Sequence, residues 1–210
     1  MTDSFLMPGK EAFIAFVERR SRFMGSLRPV NTEQEALAHV AQLKSRYPDA
    51  AHHVYAYRLR DNQLMRHSDD GEPQGTAGLP VLEVLRREDV QNASCVVVRY
   101  FGGVLLGAGG LTRAYARAAK EALDEAGIAR LCPWTPVSVT CPYTLWESVK
   151  RLLTQWKTRE SAVSFQADVC FTGFLMTKYE KEVRLGLQAL SAGQVTPAYG
   201  EPPAWMPEEP

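Results

Sequence analysis

The chain has 210 residues, enough for one large domain or two small ones with real cores, and its 45% hydrophobic and 23% charged residues are ordinary for a globular protein. Twenty-four Lys and Arg balance 24 Asp and Glu, which argues against a general nucleic-acid binder and confines any nucleic-acid contact to a local patch. No apolar run approaches the roughly 20 residues that span a bilayer, the start lacks the features of a signal peptide, and the four cysteines show no CxxC spacing; a reduced, cytoplasmic protein with no membrane partner is expected.

In chain order, residues 11–17 alternate irregularly. Ser21–Val30 reads as a strand with Phe23 and Leu27 toward a core and Arg22 and Arg28 elsewhere. Asn31–Glu35 is a helix start with acids in its first turn, followed by the apolar face Ala36, Leu37, Val40, Ala41 and Leu43. His52–Arg60 reads as a strand closed by the turn signal Asp61-Asn62. Of the histidines, His39 is expected to be structural, and one of His52 and His53 to be a hydrogen-bonded core residue.

Ser68-Asp69-Asp70-Gly71-Glu72 opens a loop that runs to Gly78 and holds three carboxylates. A cation site and a pair of carboxylates for acid–base work are both readings of it, and His67 could pair with Asp69 or Asp70. The calcium-loop pattern and any transition-metal spacing are absent, so no metal and no cofactor are expected. The favoured reading is a turn whose side chains cap the backbone. Thr76 is then the expected cap of a helix running to about Arg87.

The central stretch is Val96–Arg117: a β-branched run, then Gly102, Gly103, Gly107, Gly109 and Gly110, then a helix over Leu111–Ala126 ending at Gly127. A glycine-rich turn opening a helix leaves N–H groups and the positive end of the helix dipole available to an anion. Neither the GxxxxGK[ST] nor the GxGxxG pattern is met, because Ala108 and Thr112 stand where the lysine and the third glycine would be. Arg113, Arg117 and Lys120 follow at spacings of four and three, which places them on one helix face. The competing reading is that the glycines serve packing and the basic residues solvate a helix. No nucleophile elbow is present.

Residues 132–136, with Pro133 and Pro136, read as a linker between a first domain (1–131) and a second (137–200). The second shows a strand at Val137–Cys141, an amphipathic helix at Thr144–Trp156, strands at Ser161–Phe165 and Val169–Met176, a helix at Lys178–Leu190 and a strand at Gln194–Tyr199. That βαββαβ order is ferredoxin-like. Residues 201–210 are expected to be a disordered tail.

Three stretches together carry a family resemblance: Ser21-Arg22-Phe23; Ser68-Asp69-Asp70-Gly71-Glu72-Pro73 with Gly75-Thr76-Ala77-Gly78; and Arg99-Tyr100-Phe101-Gly102-Gly103 through Leu106–Leu111, with Arg113-Ala114-Tyr115. The chain resembles the bacterial YigZ branch of the IMPACT family. The resemblance implies an α+β first domain of the ribosomal-protein-S5 second-domain type, followed by a ferredoxin-like domain similar to those of elongation factors. It also implies a translation-related role without known enzymatic activity. The kinase control exerted by eukaryotic members uses an additional N-terminal domain and is not carried over.

The leading expectation is therefore a protein that binds RNA or a ribosome-associated partner. Phosphates would be held by the loop amides of Gly102, Gly103, Gly107, Gly109 and Gly110 and by Arg22, Arg99, Arg113 and Arg117, with Tyr100 or Phe101 stacking on a base. An enzyme acting on a phosphorylated small molecule, with Asp69, Asp70 or Glu72 as Mg²⁺ ligand or base, is the first alternative. A protein–protein adaptor anchored by Tyr55, Tyr57 and Tyr100 is the second.

Overall fold

The computed structural model describes residues 4–201 and 204–208. Its contacts divide into two compact units, Phe5–Arg130 and the chain from Leu131 onward. Both are α+β and built on antiparallel sheets, the class expected.

The first unit contains β1 (Phe5–Pro8), β2 (Ala12–Glu18), β3 (Ser21–Pro29), α1 (Glu33–Arg46), β4 (His52–Arg58), a 3-10 turn at Asp61–Gln63, β5 (Met65–Ser68), α2 (Gly78–Arg87), β6 (Ala93–Tyr100) and α3 (Ala108–Ala126). The sheet order is β2-β3-β6-β4-β5, with every neighbouring pair antiparallel. Helices α2 and α3 cover one face, where Val81, Leu85, Tyr115 and Leu123 pack on Phe23, Leu27, Val54, Cys95 and Val97. Helix α1 covers the other, setting Val40 and Leu43 against Met24, Val96 and Val98. Strand β6 is thus buried on both sides, the setting in which a run of β-branched residues is most favourable. Small residues bring α3 close: Ala114, Ala118 and Ala122 face the sheet, and a Cβ at Gly25 would stand 2.8 Å from the Ala118 carbonyl oxygen.

Local chemistry sets the helix starts. Thr32 caps α1, its Oγ1 accepting from Glu35 N at 3.2 Å, while Glu35 Oε2 accepts from the N–H of Asn31, the residue before the cap, at 2.6 Å; this is a variant of the capping box. Helix α2 departs from expectation. Thr76 is not its cap, because its hydroxyl donates to the Pro73 carbonyl at 2.6 Å. Asp69 instead reaches across the loop to accept from Gly75, Ala77 and Gly78 N at 2.8–3.0 Å.

The second unit contains most of β7 (Ile128–Cys141), then α4 (Tyr143–Gln155), β8 (Arg159–Phe165), β9 (Val169–Met176), a 3-10 turn at Thr177–Tyr179, α5 (Glu180–Leu190), β10 (Ala198–Tyr199) and β11 (Ala204–Pro207). Its order β10-β7-β9-β8, antiparallel throughout, is the ferredoxin-like arrangement. One face is packed by Trp146, Val149 and Leu153 of α4 and Val183 and Leu187 of α5.

Two sequence expectations are corrected here. The stretch 132–136 is not a free linker but the middle of β7. Pro136 is tolerated because its position falls between the segments paired with β10 and β11, and its carbonyl accepts from Gly200 N at 2.9 Å. The expected tail is not wholly disordered: Ala204–Pro207 pairs with Leu131–Trp134 as β11, while residues 202–203 and 209–210 lie outside the described residues.

Candidate functional site

The three motif stretches meet in the first unit around one buried ion pair. Arg99, on the α3 side of β6, is 4% exposed and donates from Nη1 to Glu72 Oε1 at 2.5 Å and from Nη2 to Ser21 Oγ at 3.2 Å. Tyr115 of α3 donates its hydroxyl to the same Glu72 oxygen at 2.7 Å. Burial and the adjacent Glu72 carboxylate push the Tyr115 phenol well above its ordinary range. The Arg99 guanidinium carbon also lies 5.4 and 5.5 Å from the ring centres of Phe23 and Phe101. This cluster ties the acidic loop, β3, β6 and α3 together and pairs the Arg99 and Glu72 charges, leaving Arg99 Nε buried without a hydrogen-bond partner among the described residues.

The other carboxylates of the acidic loop are spent in the same way. Asp69 caps α2; burial opposes its ionisation, but the amides of Gly75, Gly78 and Ala77 outweigh that and hold its carboxyl below the usual range. Asp70 accepts from Lys44 at 3.1 Å and from His53 N at 2.6 Å, and these contacts likewise hold its pKa down against burial. The Ser68 hydroxyl accepts from Asp70 N at 3.2 Å, and Gly71 takes a φ of 90° in the turn. Among the described residues no group of three or more His, Cys, Asp or Glu side chains is arranged to hold a metal. The loop acts as a structural staple, the reading the sequence favoured, and His52 and His53 lie 3.7 and 3.8 Å from the Glu72 and Asp70 carboxylates. His53 is the expected core histidine, its Nε2 2.9 Å from the Tyr47 carbonyl oxygen.

The four expected arginines do not converge. Arg99 is enclosed as described. Arg22 is exposed but on the opposite, α1 side of the sheet, sharing the parity of Met24 and paired in register with Tyr100. Tyr100 donates its hydroxyl to Asp49 at 2.8 Å on that same side. Lys120 turns from the expected basic stripe to Glu88 and Asp124, at 3.3 and 2.5 Å. Of the three tyrosines of the adaptor reading, Tyr57 is 3% exposed and bonded to Glu33, while Tyr55 and Tyr100 are half-buried.

What does converge is Arg113 and Arg117 with a residue the sequence reading missed, Arg19. Together with Glu18, Leu106 and Gly110 they line a groove of about 260 Å³ beside the first turn of α3. Gly107 precedes that helix at φ 71° and accepts the first helical bond from Leu111 N at 2.9 Å. The N–H groups of Ala108, Gly109 and Gly110 therefore come before the helical ladder and have no partner within it. Among the described residues, no carboxylate lies within ion-pair distance of Arg19 or Arg113. Arg117 is shared, with Glu121 at 2.7 Å and Glu18 at 3.8 Å, and its guanidinium lies over Phe16 at 4.1 Å.

Arg19 reaches the groove through an uncommon turn. The β2–β3 hairpin closes with only Arg19 and Arg20 between Glu18 and Ser21, and both have positive φ, 44° and 66°. A two-residue hairpin of this hand normally uses Asn-Gly, so no local turn signal marks an Arg-Arg pair. Gly102 holds the turn from behind. A Cβ there would stand 2.1 Å from the Arg20 carbonyl carbon and oxygen, and Gly102 N donates to Ser21 Oγ at 3.3 Å. Gly102 thus serves close packing. Gly103 and Gly107, at φ 80° and 71°, shape an open loop whose exposed residues include Phe101 and Leu105; Gly109 lies in the first turn of α3.

Comparison with known proteins agrees with the motifs. Residues 19–123 match the Impact N-terminal domain. The chain is 34% identical to the IMPACT family member YvyE of Bacillus subtilis, over 77% of this chain and 75% of that one. It is 36% identical to the IMPACT family member YigZ of Escherichia coli, over 73% and 76%. A crystal structure of a hypothetical protein, 32% identical, superposes with a TM-score of 0.62 over 96% of this chain and 99% of the other. The domain carrying the buried Glu72–Arg99 pair and the arginine groove is an Impact N-terminal domain, and the chain belongs to the IMPACT family.

Proposed function

We propose that this protein is a translation-related binding protein that grips the phosphate backbone of RNA in the Arg19–Arg113–Arg117 groove. The observation that carries the reading is the convergence of three guanidinium groups, two of them without a carboxylate partner among the described residues, on the amide-rich first turn of α3. Phosphate oxygens would accept from Arg19 and Arg113 and from the amides of Gly109 and Gly110. Phe101, half exposed in the glycine loop, offers a ring face to an unpaired base. A neutral chain with one local basic site is suited to a few phosphate contacts rather than to wrapping a duplex.

Filter binding with a structured and a single-stranded RNA, between about 50 and 200 mM salt, tests this. Arg113→Ala/Arg117→Ala should weaken binding and flatten the slope of log K against log salt by about 1 to 2. Its folding stability should stay within about 0.5 kcal/mol of the parent, as is usual for surface changes. Arg22→Ala, on the far side of the sheet, should bind as the parent does. Absence of RNA binding at low salt, or a double variant that binds unchanged, defeats the proposal.

A further inference from the structure

The outer edge of β2 is built unlike the other open edges of the molecule. At the far side of the same sheet, β5 is only four residues long and carries Arg66 and His67. In the second unit, β8 opens on Arg159 and Glu160 and is broken by a register irregularity between Glu160 and Ala162. Shortness, charge and irregularity are the usual means of blocking edge-to-edge pairing. Strand β2 has none of them. Its seven residues, Ala-Phe-Ile-Ala-Phe-Val-Glu, contain no Pro, Gly or Lys and hold a single charge at the last position.

Its backbone polarity follows from the turn. The closing pair of a two-residue hairpin, Glu18 and Ser21, exchanges both its hydrogen bonds. Phe16 and Ile14 then also bond inward to β3, and the N–H and C=O groups of Phe13, Ala15 and Val17 point to the open edge. On the α1 side the same three residues present exposed side chains, with Phe13 44% and Val17 65% exposed.

We propose that β2 pairs antiparallel with β2 of a second copy of this chain, about a two-fold axis at Ala15. Ala15 is the midpoint of Ala12–Glu18, so this register overlaps all seven residues. It sets Phe13 opposite Val17 and Ala15 opposite itself, which joins the outward-directed backbone groups of both copies in hydrogen-bonded pairs. Within Ala12–Glu18 this register sets no like charges opposite each other. One strand pair is a small interface, so association is reversible and concentration-dependent.

Sedimentation velocity of the full chain without RNA, from low to high micromolar concentration, tests this. The parent should shift from monomer toward dimer. Val17→Lys, at an exposed position, and Ala15→Pro, which removes an outward N–H, should each weaken association by about tenfold or more while circular dichroism and melting stay unchanged. A parent that stays monomeric at the highest concentration, or a dimer that Val17→Lys and Ala15→Pro leave intact, overturns the proposal.

Discussion

Arg99 and Arg113 belong to one motif stretch and have opposite fates. Arg99 is enclosed with Glu72, Ser21 and Tyr115, where every interaction it makes joins two parts of the fold. Arg113 stands with Arg19 at an open groove where no carboxylate among the described residues claims either of them. The same side chain serves folding in one place and is free for a ligand in the other, and what separates the two is whether a counter-ion came from within the chain. A buried, paired guanidinium is weak evidence of net stabilisation, because desolvation offsets most of the attraction, but removing one partner is severe. An exposed guanidinium costs the fold little to keep or lose.

The comparison breaks first at the buried pair. Arg99→Met or Glu72→Leu alone should each destabilise the first unit by about 3–5 kcal/mol, since each leaves a buried charge unmatched. The double variant should recover much of that loss, measured by chemical denaturation of all three against the parent. Two single variants within about 0.5 kcal/mol of the parent would mean that the pair is not what holds the motifs together.

A smaller effect comes from the other face of the sheet, where a polar core residue is buried without charge. His39 of α1 stands 2.9 Å from Ser26 Oγ and 3.0 Å from Ser94 Oγ, bridging α1 to β3 and β6. Burial, aided by nearby Arg28, lowers its pKa from 6.5 to about 4, so the native imidazole is neutral where the unfolded one takes up a proton. Its contribution to stability is complete above the unfolded value, falls as pH drops from 6.5 toward 4, and changes no further below that. The loss amounts to about 3 kcal/mol. Unfolding free energies across that range should decline less steeply in His39→Gln than in the parent; parallel curves would remove His39 from the account.

What could be read from the residues alone follows the range of the interactions. The α1 start was legible because Thr32, Glu35 and Asn31 bond one another within five positions. The strand–glycine loop–helix element was legible for the same reason, as was the βαββαβ order of the second unit. The burial of Arg99 was not. Strand β6 is covered on both faces, so it lacks the alternation that would tell which way Arg99 points, and its counter-ion Glu72 comes from a distant loop. Proline misled at residues 132–136, because whether a missing N–H matters depends on what lies opposite, as at Pro136. Arg19 was invisible because its place in the groove depends on a turn conformation that its residue type disfavours.

That last point carries the smallest prediction and the one that separates the two roles of arginine most cleanly. Two non-glycine residues at positive φ in one hairpin turn cost the fold on the order of 1 kcal/mol or more relative to residues suited to it. Arg19→Asn/Arg20→Gly supplies the preferred Asn-Gly turn and touches no buried contact, since both side chains are exposed. The variant should therefore be more stable than the parent by about 1 kcal/mol, with a higher melting temperature. If Arg19 is kept in a strained turn for its charge, the same variant should bind RNA more weakly, with a shallower salt dependence. Gain in stability with binding unchanged would show that Arg19 lines the groove without using it. Loss of stability would show that the Arg-Arg turn is held by contacts to its side chains rather than by the close fit of Gly102 against the Arg20 backbone.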